Sequence, residues 1–524
     1  MVERVSAPVW RTLGATRGGS GHEKTTVAIV GGGPVGLTAA LDLARRGHRI
    51  VLLTRLDYIA AGSKAICFSK RSLEIFDQLG VAAPLRAKGV TWNIGKVFRG
   101  QDSEPIYQFD LLPIKDQKQP AFINIQQYYV ELELIEALKK HPNVELRFGH
   151  TVSGLEQNDD GVELAVSTAD GPYLLTATFV LACDGARSNM REYLDLSFEG
   201  SVFEDQFLIA DIRVRQERPA ERWFWFDPPF NPGQSALLHK QPDDVWRLDF
   251  QLGSHLDRAQ AVHPDHVESL VRGMLGRHVE FEPVWYSIYN FRCCRMRSFV
   301  RGRVIFAGDA AHLVSPFGAR GCNGGIADAY NLGWKLDRIL TGRADAALLD
   351  SYDHESTRSA DENIRQATRA THFMSAKGTA ERALRDAVLS LAREHEFARP
   401  FVNSGRLSCA VDYPDSPLNC ADLEAWAAGP APGSPAIDAP FGTGYLSEKL
   451  GSDFVLLSNG FTIEPIVGLA QLQADAADSS LLARYDLTPG SCYLIRPDQY
   501  VAGRFKHPSA LKLKAALRRA GGES

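Results

Sequence analysis

The chain has 524 residues, more than one ordinary core can hold, and the length alone suggests about three domains. An apolar fraction of 44% and a charged fraction of 23% are those of a globular protein in water. The 58 basic and 63 acidic residues give a formal net charge of -5 without any Lys/Arg block, which argues against nucleic acid or an anionic membrane as partner.

Residues 1–24 are rich in Gly, Ser and Thr and lack the apolar core of a signal peptide, so a flexible leader is expected. Thr25–Val30 (TTVAIV) reads as a buried parallel strand running into Gly31. Leu37 to Arg46 has helical spacing and ends at Gly47, and His48–Leu53 is a second strand. This βαβ unit predicts a parallel sheet. Residues 69–80 and 127–140 read as helices, and 160–168 with 173–182 as a β-pair leading into Cys183-Asp184-Gly185.

From 195 to 292 the texture changes to strand-like stretches rich in aromatics, such as RWFWF and VWRLDFQL, which predict an inserted, mainly antiparallel sheet. The βαβ texture returns at Arg303–Asp309, followed by a helix across 325–340, and residues 360–400 look helical. The stretch 410–445 is rich in Pro, Gly, Asp and Ser and reads as a linker. A strand at 454, a helix near 467–477 and a closing basic helix then suggest a small separate α/β unit. No run of about 18 apolar residues occurs, so no membrane span is expected. The eight cysteines show neither CxxC spacing nor a Cys/His cluster, which argues against a zinc site or a disulfide framework. A reduced, cytoplasmic protein is the simplest reading.

Three segments carry chemistry. Gly31-Gly32-Gly33-Pro34-Val35-Gly36 satisfies GxGxxG between a strand and a helix. Gly31 permits the tight turn, Gly33 lets the backbone approach a pyrophosphate, and Gly36 lets helix and strand pack closely. Free N–H groups at the helix start then attract the phosphates. A carboxylate at the end of the second strand should grip the ribose hydroxyls, but Thr54 stands there, with Asp57 three residues later. Thr54 bonding one hydroxyl, Asp57 reaching back, and Asp57 as a solvated loop acid all remain open.

The second segment, GRVIFAGDAAHLVSPFGARGCNGGIADAYNLGWKL, points to FAD. Asp309 sits at a strand's C-terminal edge, where it can accept from ribityl hydroxyls, and the glycine-rich loop Gly318–Gly325 opens a helix whose N–H groups face the flavin's pyrimidine edge. The third segment is Cys183-Asp184-Gly185-Ala186-Arg187-Ser188, after a strand, and an Asp-Gly there is commonly just a turn.

Together the three segments resemble the class A flavoprotein aromatic hydroxylases, the p-hydroxybenzoate hydroxylase fold, over roughly residues 25–400. The nearest likeness is to the 3-(3-hydroxyphenyl)propionate hydroxylase and phenol-hydroxylase-like branch. The resemblance implies an α/β protein in three parts: a Rossmann-like FAD-binding domain (25–194 and 293–400), an inserted mainly antiparallel β substrate domain (195–292), and a C-terminal thioredoxin-like α/β domain without CxxC (410–524). It further implies that Gly31, Gly33, Pro34 and Gly36 hold the FAD pyrophosphate, and that Gln127 matches the Q-x-x-L-E helix start near the flavin. Asp184 would serve both FAD and NAD(P)H binding, and Asp309 the ribityl chain. Pro316 and the backbone of Gly321, Cys322 and Asn323 would lie beside the isoalloxazine. Lys64 stands where the family usually has Arg, keeping charge but losing the planar fork.

The implied reaction uses NADPH or NADH and O₂ to hydroxylate a phenolic compound through a flavin C4a-hydroperoxide, NADPH being the family expectation. His239 and Tyr289, with Asp249 and less readily Arg247 or Trp225, are the candidate phenol contacts, although a lone His on an apolar strand is commonly a satisfied core residue. Trp223-Phe224-Trp225-Phe226-Asp227-Pro228 is a near miss of the halogenase W-x-W-x-I-P, with Asp in place of Ile. Halogenation, a reductase without oxygen insertion, and a non-catalytic FAD-binding protein are the alternatives. The C-terminal unit is expected to serve packing or dimerisation, in a homodimer.

Overall fold

The computed structural model describes residues 11–13, 15–16, 21–59, 64–215, 218–253, 258–402, 407–451 and 453–523. Most of the expected leader lies outside them, but its described part is structured. Arg11–Thr12 pairs with Tyr58–Ile59, and the first long strand starts already at His22.

The first sheet runs in the order Val144–Phe148, Ile50–Thr54, His22–Val30, Tyr173–Ala182, Val162–Ser167, Thr151–Gln157, with Val304–Phe306 also on Tyr173–Ala182. Ile29 pairs with Leu52 on one side and Leu181 on the other, and Leu181 pairs with Ile305, all in parallel register. Their paired central segments, residues 27–30, 50–53, 179–182 and 304–306, are apolar and buried in the main core. Parallel register has one functional consequence. Val30, Thr54, Ala182 and Phe306 all end at the same edge, so the three motif loops that follow them converge there.

The second sheet has the order His312–Leu313, Glu282–Arg295, Glu199–Arg213, Val245–Gln251, Ser235–Lys240, Arg222–Phe226, Ile94–Arg99, Tyr107–Asp110. It is antiparallel except between Arg222–Phe226 and Ile94–Arg99. The expected boundary at 195 is therefore too narrow: two strands come from residues 94–110, whose alternation is too short to announce a sheet partner 127 residues away. The two faces differ. One carries Phe98, Trp225, Leu238, Trp246, Leu248 and Phe250 against the helix Pro264–Leu275, with Lys96 and Lys240 lying over Trp223 and Trp246 at its margin. The other turns Arg222, His239, Arg247, Asp249 and Tyr289 toward the first sheet's loop edge.

The C-terminal unit is a four-stranded sheet, Leu469–Gln473, Phe454–Ser458, Ser491–Ile495, Val501–Lys506, with helices Ser479–Tyr485 and Ala510–Ala520. The helix expected near 467–477 is instead the strand Leu469–Gln473, drawn into extended form by parallel pairing with Phe454–Ser458, while the helix follows at 479. The expected linker is packed as well. Tyr413 and Leu418 are buried, and the N–H groups of Cys420 and Gly433 donate to the carbonyls of Ala502 and Val501 at 2.7 Å.

A buried charge network joins this unit to the long helices Gly321–Leu340 and Leu348–Met374. Glu355 accepts from Arg496 Nη1 and Nη2 at 2.6 and 2.9 Å, from Lys335 Nζ at 2.8 Å and from Asn331 Nδ2 at 2.7 Å. Burial pushes the Lys335 ammonium down to about 8 against the pull of Glu355, while Arg496 and Lys335 hold the Glu355 carboxyl far below its ordinary value despite burial.

Candidate functional site: a dinucleotide cradle facing a polar sheet

The GxGxxG turn is built by close approach. Gly31 has φ +118°, and a Cβ there would lie 2.2 Å from the Cys183 carbonyl oxygen. One on Gly36 would lie 2.0 Å from the Gly31 carbonyl oxygen. Gly33 differs: a Cβ there would meet nothing within 4 Å, so open space lies above the turn. Pro34 is the first residue of the helix Pro34–Arg45, preset for its φ, and the helix's free N–H groups face that space. Thr54 borders it, with Oγ1 3.2 Å from where a Gly32 Cβ would sit and weakly accepting from Leu56 N at 3.4 Å. Asp57 uses its carbonyl to anchor Leu13 N at 2.8 Å.

Asp309 follows on the short turn Gly308–Ala310, and its carboxylate is exposed within the cleft. The surrounding protein pushes its pKa up, while the charges of His312 and Lys64 pull it down. The turn is clamped from behind: Asp328 Oδ2 accepts from Gly308 N at 3.1 Å and lies 2.6 Å from His312 Nε2. The helix Gly321–Leu340 starts beside it, since a Cβ on Gly321 would be 3.9 Å from Asp309 Oδ1. The N–H of Gly324 donates to the Arg320 carbonyl, so by helix geometry those of Gly321, Cys322 and Asn323 precede the first intrahelical bond. The Asn323 side chain is already committed, donating to the carbonyls of Cys67 and Ala319 at 2.9 and 2.6 Å and accepting from Ser69 N and Ser72 Oγ at 2.9 and 2.7 Å. Its backbone alone faces outward. Burial pushes the Cys322 thiol far up, so it stays protonated. Pro316 is exposed in the loop just before this helix.

Asp184 receives Met190 N at 3.1 Å on Oδ2, while its Oδ1 is buried without a partner and burial raises its pKa. Ser188 caps the next short helix, and Arg191 Nη1 donates to the Ala310 carbonyl at 2.8 Å, tying this motif to the Asp309 turn. Gln127 accepts from Ala65 N at 3.1 Å and donates to Glu131 Oε1 at 2.8 Å. Glu131 was missed by sequence reasoning, although it closes the quoted QYYVE. Burial lifts its pKa to about 7, opposed by Gln127 and by the charge of Lys64. Lys64 is exposed and thus acts on both Glu131 and Asp309, while its carbonyl accepts from Arg247 Nη1 at 3.1 Å.

An open pyrophosphate turn, two helix starts, an orphaned Asp184 oxygen and an exposed carboxylate at a strand end are the donor and acceptor set that FAD requires. The residues present fit the cofactor.

Facing them, strand register places Arg222, His239 and Arg247 side by side, with Leu237, Asp249 and Ile209 in the next row. His239 is 2% exposed, its Nε2 3.1 Å from Asp249 Oδ2 and its Nδ1 3.9 Å from Cys67 Sγ. Burial first, then the charge of Arg222, push it down to about 4 against the pull of Asp249. Arg247 is held by Asp211 through Nε and Nη2 at 2.7 and 2.8 Å. Tyr289 is pushed up to about 12 by burial, with Arg247 lowering it and Asp309 and Asp249 adding to the rise. Trp223 and Trp225 lie on the opposite, apolar side, where Trp225 stacks on Phe98 at 5.3 Å. That W-x-W is core packing. Among the described residues no cluster of three or more metal-ligating side chains occurs, and no helix is long and apolar enough to cross a membrane.

Residues 24–367 match the FAD binding domain family, and the chain belongs to it. A probable NADH-specific resorcinol 4-hydroxylase of Rhodococcus jostii is 31% identical over 378 residues, 72% of this chain and 70% of that protein. A 3-(3-hydroxy-phenyl)propionate/3-hydroxycinnamic acid hydroxylase of Mycolicibacterium smegmatis is 28% identical over 367 residues. That match takes in 69% of this chain and 64% of the relative, less than two thirds of the latter's length. The solved structure of the flavin-dependent monooxygenase PieE in complex with FAD and substrate superimposes with a TM-score of 0.78 over 96% of this chain and 100% of that one. At 21% identity this likeness concerns the fold.

Proposed function

We propose that the chain is an FAD- and NAD(P)H-dependent monooxygenase that hydroxylates a phenolic aromatic compound with O₂. One observation carries the reading: Arg247, on the polar face of the second sheet, donates from Nη1 at 3.1 Å to the carbonyl of Lys64, whose charge acts on Asp309 of the cradle. The cofactor cradle and the polar sheet face therefore adjoin each other. Relatives named as hydroxylases of resorcinol and of hydroxyphenylpropionate support the aromatic substrate, and the NADH-specific one supports a nicotinamide co-substrate.

FAD bound there supplies the hydride acceptor and the site of O₂ activation. The chain's own residues do the rest. Gly31, Gly33, Pro34 and Gly36 seat the pyrophosphate, with Thr54 at the adenosine end. Lys64, Gln127, Asp184 and Asp309 would hold the rest of the cofactor. Pro316 and the backbone of Gly321, Cys322 and Asn323 flank the ring system. Phe207, Phe291 and Phe317 pack with ring centroids 4.8 to 5.5 Å apart and exclude water from the cavity wall. We read the first sheet with its helices as the Rossmann-like FAD domain, the second as the substrate domain, and the C-terminal unit as a thioredoxin-like module locked on by Glu355 and Arg496. A cytoplasmic homodimer belongs to the same reading.

The test is a panel of phenols scored for stimulated NAD(P)H oxidation and for an oxygenated product. The purified chain should be yellow with FAD, and at least one phenol should raise both signals. Oxidation that ignores every phenol and yields only peroxide would show a reductase instead.

A further inference from the structure

Four side chains form one line, three on the polar sheet face and Cys67 on the small strand packed against it. Arg222 Nη1 donates to Cys67 Sγ at 3.8 Å, Cys67 Sγ lies 3.9 Å from His239 Nδ1, and His239 Nε2 lies 3.1 Å from Asp249 Oδ2. Arg222, Cys67 and His239 are 2 to 5% exposed, whereas the Asp249 side chain is 17% exposed. Arg222 makes no ion pair with a carboxylate among the described residues, and its Nε is buried without a partner.

Chemistry gives the line a direction. Arginine has donors only, so the sulfur accepts from it and its own S–H turns toward His239 Nδ1. The imidazole, held neutral by burial and Arg222, then carries its hydrogen on Nε2 and gives it to Asp249 Oδ2. Oδ2 is thereby occupied. No partner for Oδ1 occurs among the described residues, and Tyr289, Arg247, Arg222, His239 and Cys67 are the titratable or charged groups whose fields it shares.

Resting on the hydroxylase reading above, we propose that Asp249 Oδ1 is the acceptor for the phenolic hydroxyl, and that Arg222, Cys67 and His239 are positioning residues behind it. As the ring is attacked, the phenol O–H bond breaks and its proton moves to Oδ1, leaving the electron pair to enrich the ring. When the hydroxylated ring loses its hydrogen and regains aromaticity, the Asp249 carboxylic acid returns that proton to the same ring oxygen. The hydrogen lost from the ring passes as a proton to the second oxygen atom of O₂, which leaves as water, so proton and charge balance over the cycle with NAD(P)H, a solvent proton and O₂ as the other reactants. Catalysis of this type contributes roughly 10²- to 10⁴-fold.

The experiment compares Asp249→Asn, Asp249→Glu and His239→Gln with the parent enzyme, using phenols that span a range of hydroxyl acidity. FAD content and thermal midpoint are measured on each sample. Asp249→Asn should lose about 10²-fold or more in kcat/KM for weakly acidic phenols. Its loss should shrink below about tenfold for fluorinated phenols already ionised at the assay pH, because these bring no proton to remove. Asp249→Glu should recover part of the activity, and His239→Gln should show a milder loss with the same dependence on acidity. An equal loss for phenols of every acidity, no loss at all, or loss of FAD from Asp249→Asn would each overturn the proposal and leave Asp249 a structural residue. A parent enzyme that hydroxylates no phenol would instead remove the hydroxylase reading, and this proposal with it.

Discussion

His239 and His312 are both 2% exposed, and each sits against one aspartate, Asp249 at 3.1 Å and Asp328 at 2.6 Å. Their protonation nevertheless runs in opposite directions. For His239, burial and then Arg222 lower the pKa to about 4, and Asp249 does not make up the difference. For His312, burial again opposes the charge, but Asp328 and then Asp309 outweigh it and raise the pKa. The sign is thus set by the next neighbours, an arginine on one side and a second aspartate on the other. A neutral ring can pass a hydrogen along a line. A ring whose charged form is favoured clamps Asp328 more firmly, and Asp328 in turn holds Gly308 N–H and the turn that presents Asp309.

The largest effect should come from breaking the clamp. Asp328→Ala leaves a buried His312 and the Gly308 N–H without their acceptor, and about 3–5 kcal/mol of stability should go, together with FAD retention. Urea unfolding and the flavin content of the purified variant measure both. If His312 were neutral, like His239, the loss would be much smaller and the comparison would fail.

Next is pH dependence. The folded pKa of His239 lies below its ordinary value of 6.5, so its contribution to stability is full above about 6.5 and is lost as pH falls toward 4. A shift of that size corresponds to roughly 3 kcal/mol. His239→Gln should therefore flatten the acid side of the thermal midpoint profile between pH 6.5 and 4. The raised pKa of His312 gives the opposite sign: its contribution is full below about 6.5 and fades as pH rises through the folded value. His312→Gln should flatten that side instead, and identical profiles for the two variants would erase the distinction.

A smaller change sharpens the cause. Arg222→Met removes the cation beside His239 and should move its titration upward in an NMR experiment, with stability altered by no more than about 1 kcal/mol, since a buried unpaired charge gives way to an apolar chain of similar volume. Cys67→Ser should do least, within about 1 kcal/mol, because a hydroxyl can fill the same place in the line.

The amino-acid sequence by itself determined the cradle. Gly31, Gly33 and Gly36, the strand ending in Asp309, and the glycine-rich start of the helix at Gly321 are local devices, and backbone conformation over a few residues is their whole content. The aromatic sheet was legible as a texture too, though not its two strands from residues 94–110, nor the strand Leu469–Gln473, whose extended form depends on its neighbour. Tertiary structure alone decided what the sheet presents. Arg222, His239 and Asp249 come from three neighbouring strands, where a one-residue slip in register would turn the side chain to the apolar face, and Cys67 is brought to them from a separate small sheet. It also decided in which direction each histidine's pKa moves, because a pKa answers to every charge that folding brings within reach, and those charges lie far apart along the chain.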